Sequence, residues 1–193
     1  MKNSFLAVIV GALVAGCGGA DTSQSLAMSE RSKEMAVGMT TCDTGDDDAE
    51  GLRRAHTTYS GNLFVPAGAT CRLYWSEVKG NTIVNGNLVT IGSTFRNVIV
   101  DGGSLTVLNW GCTFHGNVSI KNSAGRDGGG FNGFWSNQGD AGSTVEGNLI
   151  YENDTAQLYT EGNLTVLKNF NFSGSRCPAP SVNVVGQSNV SGC

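Results

Sequence analysis

GNLFV at 61–65, GNTIV at 80–84, RNVIV at 96–100, GNVSI at 116–120, GNLIY at 147–151 and GNLTV at 162–166 are six versions of one phrase. Asparagine holds the second place in each, as Asn62, Asn81, Asn97, Asn117, Asn148 and Asn163. The third and fifth places are apolar in every copy except at Thr82. Alternation with a period of two marks strands. The copies follow one another at intervals of 19, 16, 20, 31 and 15 residues. Self-similarity at such a period marks a solenoid, in which each repeat can bury its face only against its neighbours.

A second pattern leads into the phrase: Ser76-Glu77-Val78, Ser93-Thr94-Phe95, Cys112-Thr113-Phe114 and Ser143-Thr144-Val145. A third segment lies between copies: CRLYW at 71–75, NLVTI at 87–91, SLTVL at 104–108 and AQLYT at 156–160. Three short strands per rung predict three sheets. Equal positions in such a stack lie about 4.8 Å apart. An asparagine amide carries both donor and acceptor, so identical side chains can bond up the stack as a ladder. The copy at Arg96 lacks one corner residue that the copy at 116 has. These repeats resemble right-handed parallel β-helices, in which ladders of this kind stand at corners. The resemblance covers roughly residues 58–175 and implies an all-β solenoid of about six short rungs. Leu63, Val65, Val84, Val98, Val100, Val118, Ile120, Leu149, Leu164 and Val166 are expected inside. The alternative is an antiparallel sandwich or barrel with Gly-Asn hairpin turns. It leaves unexplained why apolar residues follow Gly-Asn in constant register.

The chain opens on Lys2, an apolar run at Phe5–Val14, and then Val14-Ala15-Gly16-Cys17. This resembles the lipobox of bacterial lipoproteins. The resemblance implies a signal peptide at 1–16, cleavage before Cys17, a lipid on the Cys17 thiol, and an outer-membrane location in the cell envelope. The alternative is an ordinary secretory signal or a short span. The apolar run falls short of the roughly 18–20 residues a stable transmembrane helix needs. Residues 17–57 carry no repeat and are expected to be the anchor and a linker arm. The acidic run Asp43–Glu50 lacks the ligand alternation of a calcium loop and fits a solvated linker. Residues 58–193 form the expected β-helix domain, with a Gly-rich inserted loop at 121–143 and a C-terminal cap at 176–193. After cleavage, eleven basic residues face sixteen acidic ones, a formal charge of −5. That balance argues against a nucleic-acid partner.

Five cysteines follow Cys17: Cys42, Cys71, Cys112, Cys177 and Cys193. Their spacings match no zinc module, and an exported chain permits disulfides. Order along the chain suggests Cys42 with Cys71 and Cys177 with Cys193. Cys112 occupies the place of Ser76 and Ser143 and shares parity with Phe114, so it is expected to be a buried thiol.

Function tends to lie where a repeat is broken. The insertion at 121–143 holds seven glycines together with Arg126, Asp127, Phe131, Phe134, Trp135 and Asp140. Aromatic faces near amides and carboxylates suit a sugar ring, so these six residues are the candidate ligand-binding set. A second break is a column of outward positions: Phe64, Ile83, Ile99, Ser119, Ile150 and Thr165. Four are apolar and call for cover. Glu146 and Glu161 each precede a rung glycine and are expected to stack in adjacent rungs. The chain has no nucleophile elbow, its two histidines look isolated, and no cofactor or metal is called for. The expected function is therefore a non-enzymatic surface lipoprotein with a structural, adhesive or glycan-binding role, its partners the membrane and a glycan or another envelope component. Two alternatives stand beside it. One is a small polysaccharide lyase or hydrolase using Asp127, Asp140, Glu146 and Glu161. The other is a bactofilin-like self-polymerising protein.

Overall fold

The computed structural model describes residues 39–45, 54–126, 130–135, 141–174 and 182–191. They form a parallel β-solenoid of about seven turns, one more than the phrase count predicts. Each complete turn passes through three faces. The first carries Thr58–Tyr59, Thr113–Phe114, Ser143–Val145, Leu164–Val166 and Val182–Val184. The second carries Thr40–Thr41, Leu63–Val65, Val118–Lys121, Leu149–Asp154, Phe170–Gly174 and Ser188–Ser191. Two long strands, Glu77–Val84 and Thr94–Asp101, bend through the corner and belong to both. The third face is a separate sheet of Thr70–Tyr74, Asn87–Ile91, Ser104–Val107, Phe131–Trp135 and Gln157–Glu161. Among the described residues every strand pairing is parallel, in place of the antiparallel alternative.

Inward positions stack in columns because parallel register places equal residues over one another. One column runs Val65, Val84, Val100, Ile120, Tyr151 and Phe172, all at 2% exposure or less. Another runs Val78, Phe95, Phe114, Val145 and Val166. All ten residues expected inside are buried. Each such side chain contributes about 1.5–3 kcal/mol of transfer free energy. Aromatic rings stack within the columns, Phe95 on Phe114 at 5.4 Å and Tyr151 on Phe172 at 5.2 Å.

The last copy of the phrase corrects the sequence-based alignment. Leu164, Thr165 and Val166 pair with Ser143, Thr144 and Val145 on the first face. GNLTV at 162–166 is therefore not a rung of the second face, and Asn163 is not in the ladder. Its place belongs to Asn169, which precedes Phe170 paired with Leu149. The asparagine ladder runs Asn62, Asn81, Asn97, Asn117, Asn148 and Asn169. Successive backbone N–H groups donate to the Oδ1 below at 2.8 Å for Asn81, 2.9 Å for Asn117, 2.8 Å for Asn148 and 3.1 Å for Asn169. At Asn97 the side-chain Nδ2 donates instead, at 2.9 Å to Asn81. There the register shifts between Val78 and Asn81, which is the missing corner residue seen from the partner strand. The glycine before Asn148 is required by close approach: a Cβ on Gly147 would lie 2.4 Å from the Gly116 carbonyl oxygen.

A second ladder lines the inner side of another corner. Thr57, Ser76, Ser93 and Cys112 each donate a backbone N–H to the side chain of the next turn, namely Ser76, Ser93, Cys112 and Ser143. Cys112 is a free, buried thiol, and burial pushes its pKa up to about 11. Cys42 and Cys71 form a disulfide. Cys17, Cys177 and Cys193 lie outside the described residues.

Candidate functional site

The expected inserted loop is not a single loop. Phe131–Trp135 is the third-sheet strand of its turn, pairing with Ser104–Val107 on one side and Gln157–Glu161 on the other. Burial along this strand does not follow its hydrophobicity, which hid it in the sequence. Asn132 and Phe134 point inward and are buried, whereas Phe131 and Trp135 point outward. Phe134 is therefore a core residue, edge-on to Phe114 at 6.1 Å, and is withdrawn from the binding set.

A buried asparagine needs every polar atom satisfied. Asn132 Oδ1 accepts the Leu105 N–H at 2.9 Å, and its Nδ2 donates to Ser123 Oγ and to the Tyr151 hydroxyl. The Tyr151 hydroxyl donates to the Ala156 carbonyl at 2.7 Å. Ser123 donates its N–H to the buried Asp154 carboxylate and its hydroxyl to the Gly103 carbonyl. Burial pushes the Asp154 pKa up to about 7, against the Ser123 N–H, which lowers it, and with Glu152, which adds to the rise. This network fixes the strand that carries the outward aromatics.

On the outer side, the Trp135 indole lies over its own strand. A Cβ on Gly133 would come within 2.0 Å of the ring, so only glycine leaves it room. Tyr159, in register with Gly133, stands 5.5 Å from Trp135 and 6.3 Å from Phe131. Phe131 remains 46% exposed. Gln157 and Glu161 are the register partners of Phe131 and Trp135, so an amide and a carboxylate border the rings.

Two further tryptophans stand at the corner where the third sheet passes into the first face. Trp75, 41% exposed, follows Thr70–Tyr74, and Trp110, 56% exposed, follows Ser104–Val107. Trp75 adopts φ +48°, in the left-handed region that other turns fill with Gly92, Asn109 or Gly162. A bulky residue there is strained by about 1–2 kcal/mol. Its indole stacks on His56 at 5.6 Å and covers Gly92 of the next turn, where a Cβ would meet the ring at 2.7 Å. Backbone bonds from Trp75 to Ile91 and from Gly92 to Trp110 carry the corner from turn to turn. All three tryptophans of the chain thus stand along one edge, within four successive turns spanning ~14 Å. The sequence reading missed His56, Trp75, Trp110 and Tyr159. Aligning the third segments of every turn would have placed the tryptophans together.

The remaining candidates separate. Arg126 is half-buried ahead of the aromatic strand, and Asp127 and Asp140 lie outside the described residues. Glu146 and Glu161 do not stack: Glu146 directly follows the first-face strand Ser143–Val145, whereas Glu161 ends a third-sheet strand. Glu146 instead sits 3.0 Å from His115 Nδ1, so that histidine is not isolated. The outward column keeps Phe64, Ile83, Ile99, Ser119 and Ile150, but Asn171 replaces Thr165. Among the described residues no three His, Cys, Asp or Glu side chains converge as metal ligands. Comparison of the chain with protein-family models, curated proteins and solved structures finds no match.

Proposed function

We propose that this chain is a non-enzymatic protein of the bacterial cell envelope, exported and lipid-anchored through Cys17, whose rigid solenoid offers an aromatic edge to a glycan. The observation that carries the reading is the alignment of Trp75, Trp110 and Trp135 on one edge, with two of the indoles seated on glycines. Seated rings lose little freedom on binding, so less of the contact energy goes into ordering them. Sugar rings present C–H faces to aromatic planes and hydroxyls to bordering polar groups, here Gln157 and Glu161. The net negative charge favours a neutral glycan over an anionic one.

The test is a glycan array and titration with the whole chain, followed by tryptophan fluorescence. Trp110→Ala and Trp135→Ala should each weaken binding by about tenfold or more, on the order of 1.4 kcal/mol, with an unchanged circular dichroism spectrum. Shortening of the bound glycan in the same samples would replace this reading with the enzymatic one. Cys17→Ser should move the protein from membrane to soluble fractions, and unchanged fractionation would remove the anchor from the proposal.

A further inference from the structure

The second face differs from the first in what it turns outward. On the first face the outward rank runs from Glu77 through Thr94, Thr113 and Thr144 to Thr165, polar throughout. On the second it runs Phe64, Ile83, Ile99, Ser119, Ile150 and Asn171. No member of that rank is buried, and Ile99 is 42% exposed. An apolar rank facing water marks an interaction surface. Ser119 leaves a notch between two isoleucines, and a shallow groove lies there, bordered by Ile99, Ile150, Asn97, Asn117 and Lys121. Two residues further along the strands stand Asp101 and Lys121, in register in adjacent turns. Asp101 accepts from Asn122 Nδ2 at 2.8 Å, and Lys121 pairs with Glu152 at 2.7 Å. A carboxylate and an ammonium each have capacity for a further bond.

We propose that two copies of this chain pair through their second faces. The two-fold axis lies between the faces, parallel to the strands, and level with the gap between the turns of Ile99 and Ser119. Such an axis keeps each residue's place along the strand and reverses the order of turns. It sets Ile99 of each copy over Ser119 of the other, so each isoleucine fills a notch. The same rotation sets Asp101 against Lys121, Asn97 against Asn117 and Ile83 against Ile150, each twice. Large meets small, acid meets base and amide meets amide in one operation, as an isologous interface requires. This self-complementarity selects a second copy as the occupant. Neighbouring registers are disfavoured. An axis level with either turn sets Asp101 on Asp101 or Lys121 on Lys121. An axis one turn further on matches Lys121 with Glu152 but leaves Ile99 against Asn171.

With a width of Asn97–Asp101 and a height from Phe64 to Asn171, the face covers roughly 450 Å² per copy. The total of about 900 Å² is the size of a weak, reversible pair. The charge pairs fix its orientation more than its strength. Each copy has one such face, so association stops at two. The pairing does not depend on the glycan reading.

The experiment measures the mass of the whole chain, purified with its disulfide intact, by light scattering and sedimentation over a wide concentration range. The expected result is a dimer that dissociates on dilution. Ile99→Lys should weaken association by at least about tenfold, because it places a charge against the notch. Asp101→Lys and Lys121→Asp should each do the same, because each sets like charges across the two-fold. Mixing these two variants sets unlike charges at both places and should restore dimers of mixed composition, a result that misfolding of either variant cannot produce. Thr113→Lys, on the first face, should leave the dimer as it is. A monomer up to about 1 mM, open-ended assembly, dimers that persist in Ile99→Lys, loss of the dimer in Thr113→Lys, or a mixture that stays monomeric would overturn the proposal.

Discussion

Asp154 is a buried carboxyl whose protonation bears on the fold. It lies in the core at 2% exposure, bonded to the Ser123 N–H, and burial raises its pKa from 3.8 to about 7. A carboxyl whose folded pKa lies above its unfolded value stabilises the fold when protonated. That contribution is complete below about pH 3.8 and is lost as pH rises through about 7. Its size is on the order of 4 kcal/mol. The melting temperature of the chain should therefore fall between pH 5 and pH 8 by several degrees more than that of Asp154→Asn. Equal pH profiles for the two proteins would show that the carboxyl ionises without cost. Trp75 is also held against its own preference, at φ +48° on the aromatic edge, beside His56 at φ +59°. Strain at that point accords with the binding role proposed for the edge.

At the scale of elements, ladders rather than turns define the corners. Asn117 accepts two hydrogen bonds from Asn148, through the backbone N–H and Nδ2, while its own N–H bonds Asn97. Asn163 has the same sequence context but stands outside the ladder. Asn117→Ala should cost about 1–2 kcal/mol in chemical denaturation, the loss of roughly two net hydrogen bonds. Asn163→Ala should stay within about 0.5 kcal/mol, as surface substitutions do. Equal costs would return Asn163 to the ladder. Sequence alone could not separate the two. A strand leaving a corner reads the same whichever sheet it enters, because period-two alternation reports burial of one face and not the identity of the neighbour.

At the scale of the molecule, the Cys42–Cys71 bond closes a segment of 29 residues and ties the first turn to the stack. Chain-entropy reasoning gives it about 3–4 kcal/mol. Reduction should lower the melting temperature, and hydrogen exchange should rise first in residues 54–74, because a solenoid unravels from its ends. Uniform exchange along the chain would mean that the bond stabilises the whole stack rather than its end. The sequence by itself determined the solenoid, its parallel strands, the asparagine ladder through Asn148, the inward residues and the buried Cys112. All of these follow from local repetition, since a side chain that recurs at one place in each turn must stack on its copies. Tertiary structure alone decided that Leu164–Val166 joins the first face, that Phe131–Trp135 is a strand with Phe134 inside, that Glu146 meets His115, and that three tryptophans share an edge. These depend on how many residues each corner takes to close its turn. Outward side chains obey no burial pattern, so their neighbours exist only once the turns are stacked.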